Sequence, residues 1–117
     1  MCGGTLSGDI AARLADARRL VRAAWPGAVE RSLKRSEGQT FLYAASATGA
    51  AVLRLVVDPP NLILHFAEGV RLSDPLCLLQ GEGRRGRYIC LGSPRIRDDG
   101  DVSALIHAAV AGMEPGG

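Results

Sequence analysis

The sequence has few aromatic residues, no paired cysteine motif and no long apolar run. Only 4% of its 117 residues are aromatic, which argues against a base-stacking platform for single-stranded nucleic acid. The three cysteines show no Cys-x-x-Cys spacing, so the common zinc-binding patterns are not indicated. No stretch reaches the ~18 apolar residues of a membrane span, and the first residues lack the basic and apolar segments of a signal peptide. We therefore expect a cytoplasmic protein with no membrane partner.

The composition indicates one folded domain. The chain is 47% hydrophobic and 22% charged, and its length suffices for a core without disulfide or metal staples. A net charge of +2 is too small to indicate nucleic-acid binding by itself. We predict a flexible N-terminus at residues 1–8, a single domain at residues 9–113 and a flexible C-terminus at residues 114–117.

Hydrophobic periodicity predicts two terminal helices and five strands. Apolar residues recur at spacings of three and four from Asp9 to about Trp25, and again from Asp101 to Gly112. The predicted strands lie around residues 29–33, 40–45, 51–57, 61–66 and 87–91, and Gly49 favours a hairpin between the second and the third. We expect an α+β fold, in which a five-stranded, mostly antiparallel sheet is covered on one face by the N- and C-terminal helices in a two-layer sandwich.

The uncovered face of this sheet predicts self-association. Strand residues such as Leu53 and Leu55 supply one apolar face, and we expect Val52, Val57 and Ile63 to supply a second one. An apolar face without a covering helix commonly marks an interface or a ligand groove. The pattern therefore predicts a homodimer or a groove on that face.

The stretch from Gly69 to Leu91 contains the most specific local signals. Asp74 followed by Pro75 is typical of a helix start, and Gly81 is typical of a helix end, so a short helix is predicted between them. A glycine-rich basic turn follows, at residues 81–87, which we call the glycine loop. A strand resumes after it.

This stretch resembles the C-terminal signature of the bacterial YdhG-like domains of unknown function. The matching pattern is carried by Gly69, Leu72, Asp74, Pro75, Leu78, Leu79, Gly81, Gly83, Arg84 and Arg87. The similarity covers about residues 9 to 112, but the Gly-Met-Pro turn frequent in that family is missing between Lys34 and Gly38. The resemblance implies a small α+β domain similar to the frataxin fold, in a family whose members mostly lack an assigned activity.

The glycine loop is the predicted binding site. Turn amides can form an anion-binding nest, and arginine side chains suit phosphate or carboxylate groups. The candidate residues are Gly81, Gly83, Arg84, Arg85 and Arg87. The alternative is a structural loop, with Arg84 or Arg87 paired to a nearby carboxylate. We predict an interaction or small anionic ligand-binding module without enzymatic activity, catalytic residues or cofactors.

Two other functions stay open at the level of sequence. The frataxin resemblance implies an intracellular iron chaperone, although Asp9 and Asp16 stand among four arginines on the first helix. An enzyme would need Cys90, Tyr88 or His65 close to a second titratable group. No metal site is predicted, because Asp98, Asp99 and Asp101 fit a helix N-cap better than a calcium loop.

Overall fold

The structure is a computed structural model that describes residues 10–35, 38–58, 61–75, 77–92, 96 and 98–113. The elements are α1 (Ile10–Ala24), β1 (Val29–Arg35), β2 (Gly38–Ala44), β3 (Leu53–Asp58), β4 (Asn61–Phe66), a 3₁₀ turn (Gly69–Arg71), β5 (Arg87–Cys90) and α2 (Asp99–Met113). The predicted flexible ends lie outside the described residues. Within these ranges, no helix combines the length and the apolar character needed to cross a membrane.

The five strands form one antiparallel sheet in the order β1-β2-β3-β4-β5. Each strand pairs with the next one along the chain, so Phe41 stands opposite Leu55, Leu55 opposite Leu64 and Leu64 opposite Ile89. Alternate residues of a strand point to one face, and these paired positions therefore form one apolar layer. The predicted α+β fold and its antiparallel sheet are confirmed.

Both helices cover this apolar layer. Ala17 and Val21 of α1, with Val102 and Ile106 of α2, are at most 6% exposed and belong to the same buried cluster as the sheet residues. Asp98 begins α2 as predicted for an N-cap, because its carboxylate accepts a hydrogen bond from the Asp101 amide at 3.3 Å. The core therefore lies between the sheet and one layer of two helices.

The second apolar face is smaller than the sequence predicts. Val57 stands opposite Leu62 and is 8% exposed, so it belongs to the core, where strand alternation places it with Leu53 and Leu55. Ile63 has the opposite parity and lies with Leu33, which is 54% exposed, on the face that neither α1 nor α2 covers; we call this the uncovered face. This uncovered face remains a candidate for self-association.

Candidate functional site

No helix forms at residues 74–75 and 77–81, which are the described part of the segment where a short helix was predicted. The Asp74 carboxylate accepts hydrogen bonds from the backbone amides of Leu78 at 2.9 Å and Leu79 at 2.8 Å. Cys77 has a φ of 55°, a left-handed conformation that a continuous right-handed helix excludes. The Asp-Pro pair therefore closes a turn.

The segment after this turn runs beside the last strand. Gln80 and Tyr88 exchange two backbone hydrogen bonds of 2.8 and 2.9 Å. The Asp74 side chain and the pairing with Tyr88 give hydrogen-bond partners to the backbone amides of Leu78, Leu79 and Gln80. In a helix, backbone carbonyls would have been the partners of these amides. Gly81 follows with a φ of 118°, a backbone conformation that residues with a side chain rarely adopt. Glycine is therefore required where the chain enters the glycine loop.

Arg87 holds the glycine loop in shape. Its Nη1 donates hydrogen bonds to the carbonyl oxygens of Gly83 at 2.6 Å and Gly86 at 2.7 Å. The loop is also attached to the 3₁₀ turn, since the Val70 amide donates to the Arg85 carbonyl at 2.9 Å. The predicted site residue Arg87 therefore has an internal structural role, and it preorganises the loop around it.

Arg84 and Arg85 are exposed on the glycine loop. The Arg85 side chain is 78% exposed, and its guanidinium lies 3.9 Å from the Glu68 carboxylate, which is itself 51% exposed. An exposed ion pair at this distance contributes about 0–1 kcal/mol, so Arg85 can exchange partners with a bound anion. The loop can offer two guanidinium groups to a ligand, against one acidic residue of its own, the exposed Glu82.

The amides of the glycine loop supply a second kind of anion donor. Among the described residues, no backbone amide from 81 to 86 donates to a backbone carbonyl. Gly81 and Gly83 carry no side chain that would shield these amides, and both are exposed. Adjacent amides of this kind can converge on one oxygen of an anion. All five residues predicted for the site thus lie in one loop, in which Arg87 is bonded to the carbonyls of Gly83 and Gly86.

His65 lies directly against the glycine loop on the uncovered face of the sheet. A Cβ added at Gly86 would be 2.6 Å from the His65 Nε2, so only glycine allows this approach. Burial, followed by the positive charge of Arg54, lowers the pKa of His65, and its imidazole is therefore neutral at pH 7. Its Nδ1 is buried without a hydrogen-bond partner in the described part of the chain.

The sheet brings together part of the group that an enzyme would need. His65 and Tyr88 are opposite each other in the β4–β5 pairing, whereas Cys90 stands opposite Ile63. A His-Tyr pair supplies a weak base and a phenol, but a covalent mechanism also needs a nucleophile oriented by that base. Two of the three residues named for an enzyme, His65 and Tyr88, are thus adjacent on neighbouring strands. Their geometry does not assign them a catalytic step.

A partly buried charge cluster between α1 and β1 was not anticipated from the sequence. Arg18 binds the Glu30 carboxylate through two hydrogen bonds of 3.0 and 2.6 Å, and Arg22 adds a third of 3.1 Å. The Tyr43 hydroxyl donates to Glu30 at 2.5 Å, while the Arg18 guanidinium lies 4.6 Å from the centre of the Phe41 ring. Arg18 and Arg22 on the arginine face of α1 therefore anchor this helix to the sheet.

The electrostatics of this cluster are strongly coupled. The hydrogen bonds from Arg18 lower the pKa of Glu30 to about 2, although its burial acts in the opposite direction. Burial and the bond to Glu30 raise the pKa of Tyr43, and the same carboxylate raises that of Arg18. These pKa shifts favour an ionised Glu30, a protonated Arg18 and a neutral Tyr43 hydroxyl. We interpret it as a structural anchor.

The iron-binding alternative finds little support in the acidic residues. Asp16 forms an ion pair with Arg19, and Asp9 lies outside the described residues. A groove of about 850 Å³ between the helices is lined by Asp16, Asp98 and Asp99, but also by two arginines. No group of three His, Cys, Asp or Glu residues in the described ranges is arranged to hold a metal ion.

Comparisons of the chain with models of protein families, with curated proteins and with solved structures find no match. The resemblance to the YdhG-like domains therefore remains a prediction from the motif. The geometry of the site has to carry any functional argument.

Proposed function

We propose that this protein is a non-enzymatic binding module that recognises a small anion at the glycine loop. The observation that carries the proposal is that one arginine of the loop is bonded within it while two others are free to contact a ligand. Arg87 is bonded internally to Gly83 and Gly86, whereas Arg84 and Arg85 are exposed and have no strong partner among the described residues. A loop needed only for a turn would not require two further arginines.

Phosphate and carboxylate groups are the ligands that this arrangement favours. A guanidinium presents paired N–H donors that match two oxygens of such a group, and adjacent loop amides add donors of the same kind. The loop is preorganised, so little conformational entropy is lost when an anion binds. We also propose a cytoplasmic location, as expected from the sequence. Small molecules with phosphate or carboxylate groups are abundant in that compartment.

A thermal-shift titration with inorganic phosphate, pyrophosphate and citrate tests the proposal. At ten times the dissociation constant, a ligand stabilises the folded state by about 1.4 kcal/mol. This corresponds to a rise in Tm of roughly 5 °C for a domain of this size. We expect Arg84→Ala/Arg85→Ala to abolish the rise at the same ligand concentration.

The matched control is Arg19→Ala/Arg31→Ala, which removes the same charge from two exposed positions away from the loop. This variant should retain the rise in Tm. Both double variants remove the same charge, so only binding at the glycine loop would make their responses differ. Equal losses in both double variants would mean nonspecific charge binding and would refute the proposal. A shift with ferrous iron alone, abolished by Asp16→Asn, would replace it with the iron-chaperone alternative.

A further inference from the structure

A second cavity lies beside the 3₁₀ turn and has Arg71 in its lining. It encloses about 420 Å³ between the C-terminal half of α2 and the ends of β3 and β4. Its wall contains five alanines, and we therefore call it the alanine pocket: Ala50, Ala51, Ala67, Ala108 and Ala109. The volume lies within the range of small-molecule sites, about 300–1,000 Å³.

Small side chains create this space. Ala108, Ala109 and Gly112 present the face of α2 that borders the pocket, and a Cβ added at Gly112 would meet no atom within 4 Å. Phe66, which is 1% exposed, contributes an aromatic surface to the same pocket. Larger residues at these helix positions would close the gap between α2 and the sheet. The wall is therefore suited to an apolar group.

One unpartnered cation stands at the pocket. Arg71 lines it, is exposed, and makes no side-chain ion pair or hydrogen bond within the described residues. Glu68 also lines the pocket, but its carboxylate lies 3.9 Å from the Arg85 guanidinium of the glycine loop. No ion pair joins Glu68 to Arg71 in the described residues, so the Arg71 guanidinium is available to pair with a ligand.

We propose that the alanine pocket binds a small carboxylate with an apolar body. The apolar body occupies the space between the alanines and Phe66, and the carboxylate pairs with the Arg71 guanidinium at the rim. Apolar burial supplies most of the affinity, whereas the single exposed charge selects for the anion. This proposal does not rest on anion binding at the glycine loop, because the two sites use different arginines to contact their ligands.

Alanine-methyl NMR on the full chain gives a direct test, since the pocket supplies five methyl probes. We expect octanoate to shift these methyl signals in a saturable manner, while the methyls of Ala11 and Ala15, exposed on α1, stay unchanged. Acetate, which lacks the apolar body, should leave the pocket signals in place. Octanol and octylamine, with the same chain length, should bind more weakly than octanoate.

Two variants separate the apolar and the charged contributions. Ala109→Leu should abolish the response to octanoate by filling the pocket, whereas Ala104→Leu, at an exposed position of the same helix, should retain it. Arg71→Ala should weaken octanoate binding about three- to five-fold and leave octanol binding unchanged. If Ala109→Leu does not fold, Gly112→Leu replaces it, because its Cβ has open space.

Three results would overturn the proposal. Octanoate shifts confined to methyls outside the pocket, or unchanged in the filled variant, would place the binding elsewhere. Equal affinity for octanol would remove the role of Arg71. Stronger binding of octylamine would mean that Glu68 and the C-terminal carbonyls of α2 set the charge preference instead.

Discussion

Replacement of Glu30 by glutamine should destabilise the fold, because the Glu30 carboxylate links α1 to the sheet through Arg18 and Arg22. Glu30→Gln preserves the shape of the side chain but removes the charge that binds Arg18 and Arg22. The fall of the Glu30 pKa from 4.5 to about 2 corresponds to at most about 3–4 kcal/mol. Because the two arginine side chains are 35% and 58% exposed, solvent screens these pairs, and we expect a loss of about 1–2 kcal/mol.

The pH dependence provides the decisive part of this experiment. The folded-state pKa is depressed, so the carboxylate stabilises the fold fully above its unfolded-state pKa near 4.5 and loses this effect as the pH falls toward 2. Urea unfolding, followed by the fluorescence of the buried Trp25, measures the free energy of unfolding at pH 7 and pH 3. The difference between wild type and variant at pH 3 should be less than half of that at pH 7.

Asp16→Asn is the matched control for this variant. It removes a carboxylate whose ion pair with Arg19 is about 70% exposed on both sides, and it should change the free energy of unfolding by less than about 0.5 kcal/mol. The reasoning is refuted if Glu30→Gln is as stable as wild type at pH 7. A difference that stays constant between the two pH values would also refute it, since the cause would then be packing and not charge.

Three further predictions concern the turn, the histidine and the uncovered face. Asp74→Ala should lower the free energy of unfolding in urea by about 1–3 kcal/mol, because the two amides that it caps lose their acceptor; a change below 0.5 kcal/mol would contradict the capping role. NMR titration should give His65 a pKa below its usual value of 6.5, raised in Arg54→Ala, and the fold should lose stability below pH 6.5 because the unfolded chain takes up the proton more readily. Sedimentation at tens of micromolar should show a dimer that Leu33→Asp dissociates, and a wild-type monomer would exclude self-association through this face.

Local sequence signals predicted the sheet well because its strands are short and connected in order. Gly49 lies in the β2–β3 turn, and residues 61–66 form β4 with the predicted bounds. The hairpin signal at Gly49 specifies the pairing of β2 with β3. Residues 67–86 separate β4 from β5, so no hairpin signal indicated their pairing, and the strand order was not predicted from the sequence. Val57 was assigned to the wrong face of the sheet. Because alternate residues of a strand share a face, its spacing of two from Leu55 places it in the core.

The prediction of a helix after Asp74 was wrong because the same sequence signals also specify a turn. An Asp-Pro pair suits a helix start and equally a turn that the aspartate caps. A helix of one or two turns has no intrinsic stability, so the pairing of Gln80 with Tyr88 decided the outcome. The partners of Glu30 were missed for a different reason: Arg18 and Tyr43 lie 12 and 13 residues away, and only the packing of α1 on the sheet unites them.

The glycine loop and the alanine pocket have a common neighbour in Glu68, and this limits how independently the two sites can respond. Glu68 lines the pocket and faces Arg85 of the loop at 3.9 Å. An anion that draws Arg85 away would leave the charge of Glu68 uncompensated beside a carboxylate in the pocket. The two ligands should therefore weaken each other, and by thermodynamic linkage the effect must be equal in both directions. Since the pair is exposed, the coupling should not exceed about five-fold, and Glu68→Gln should abolish it while both sites continue to bind.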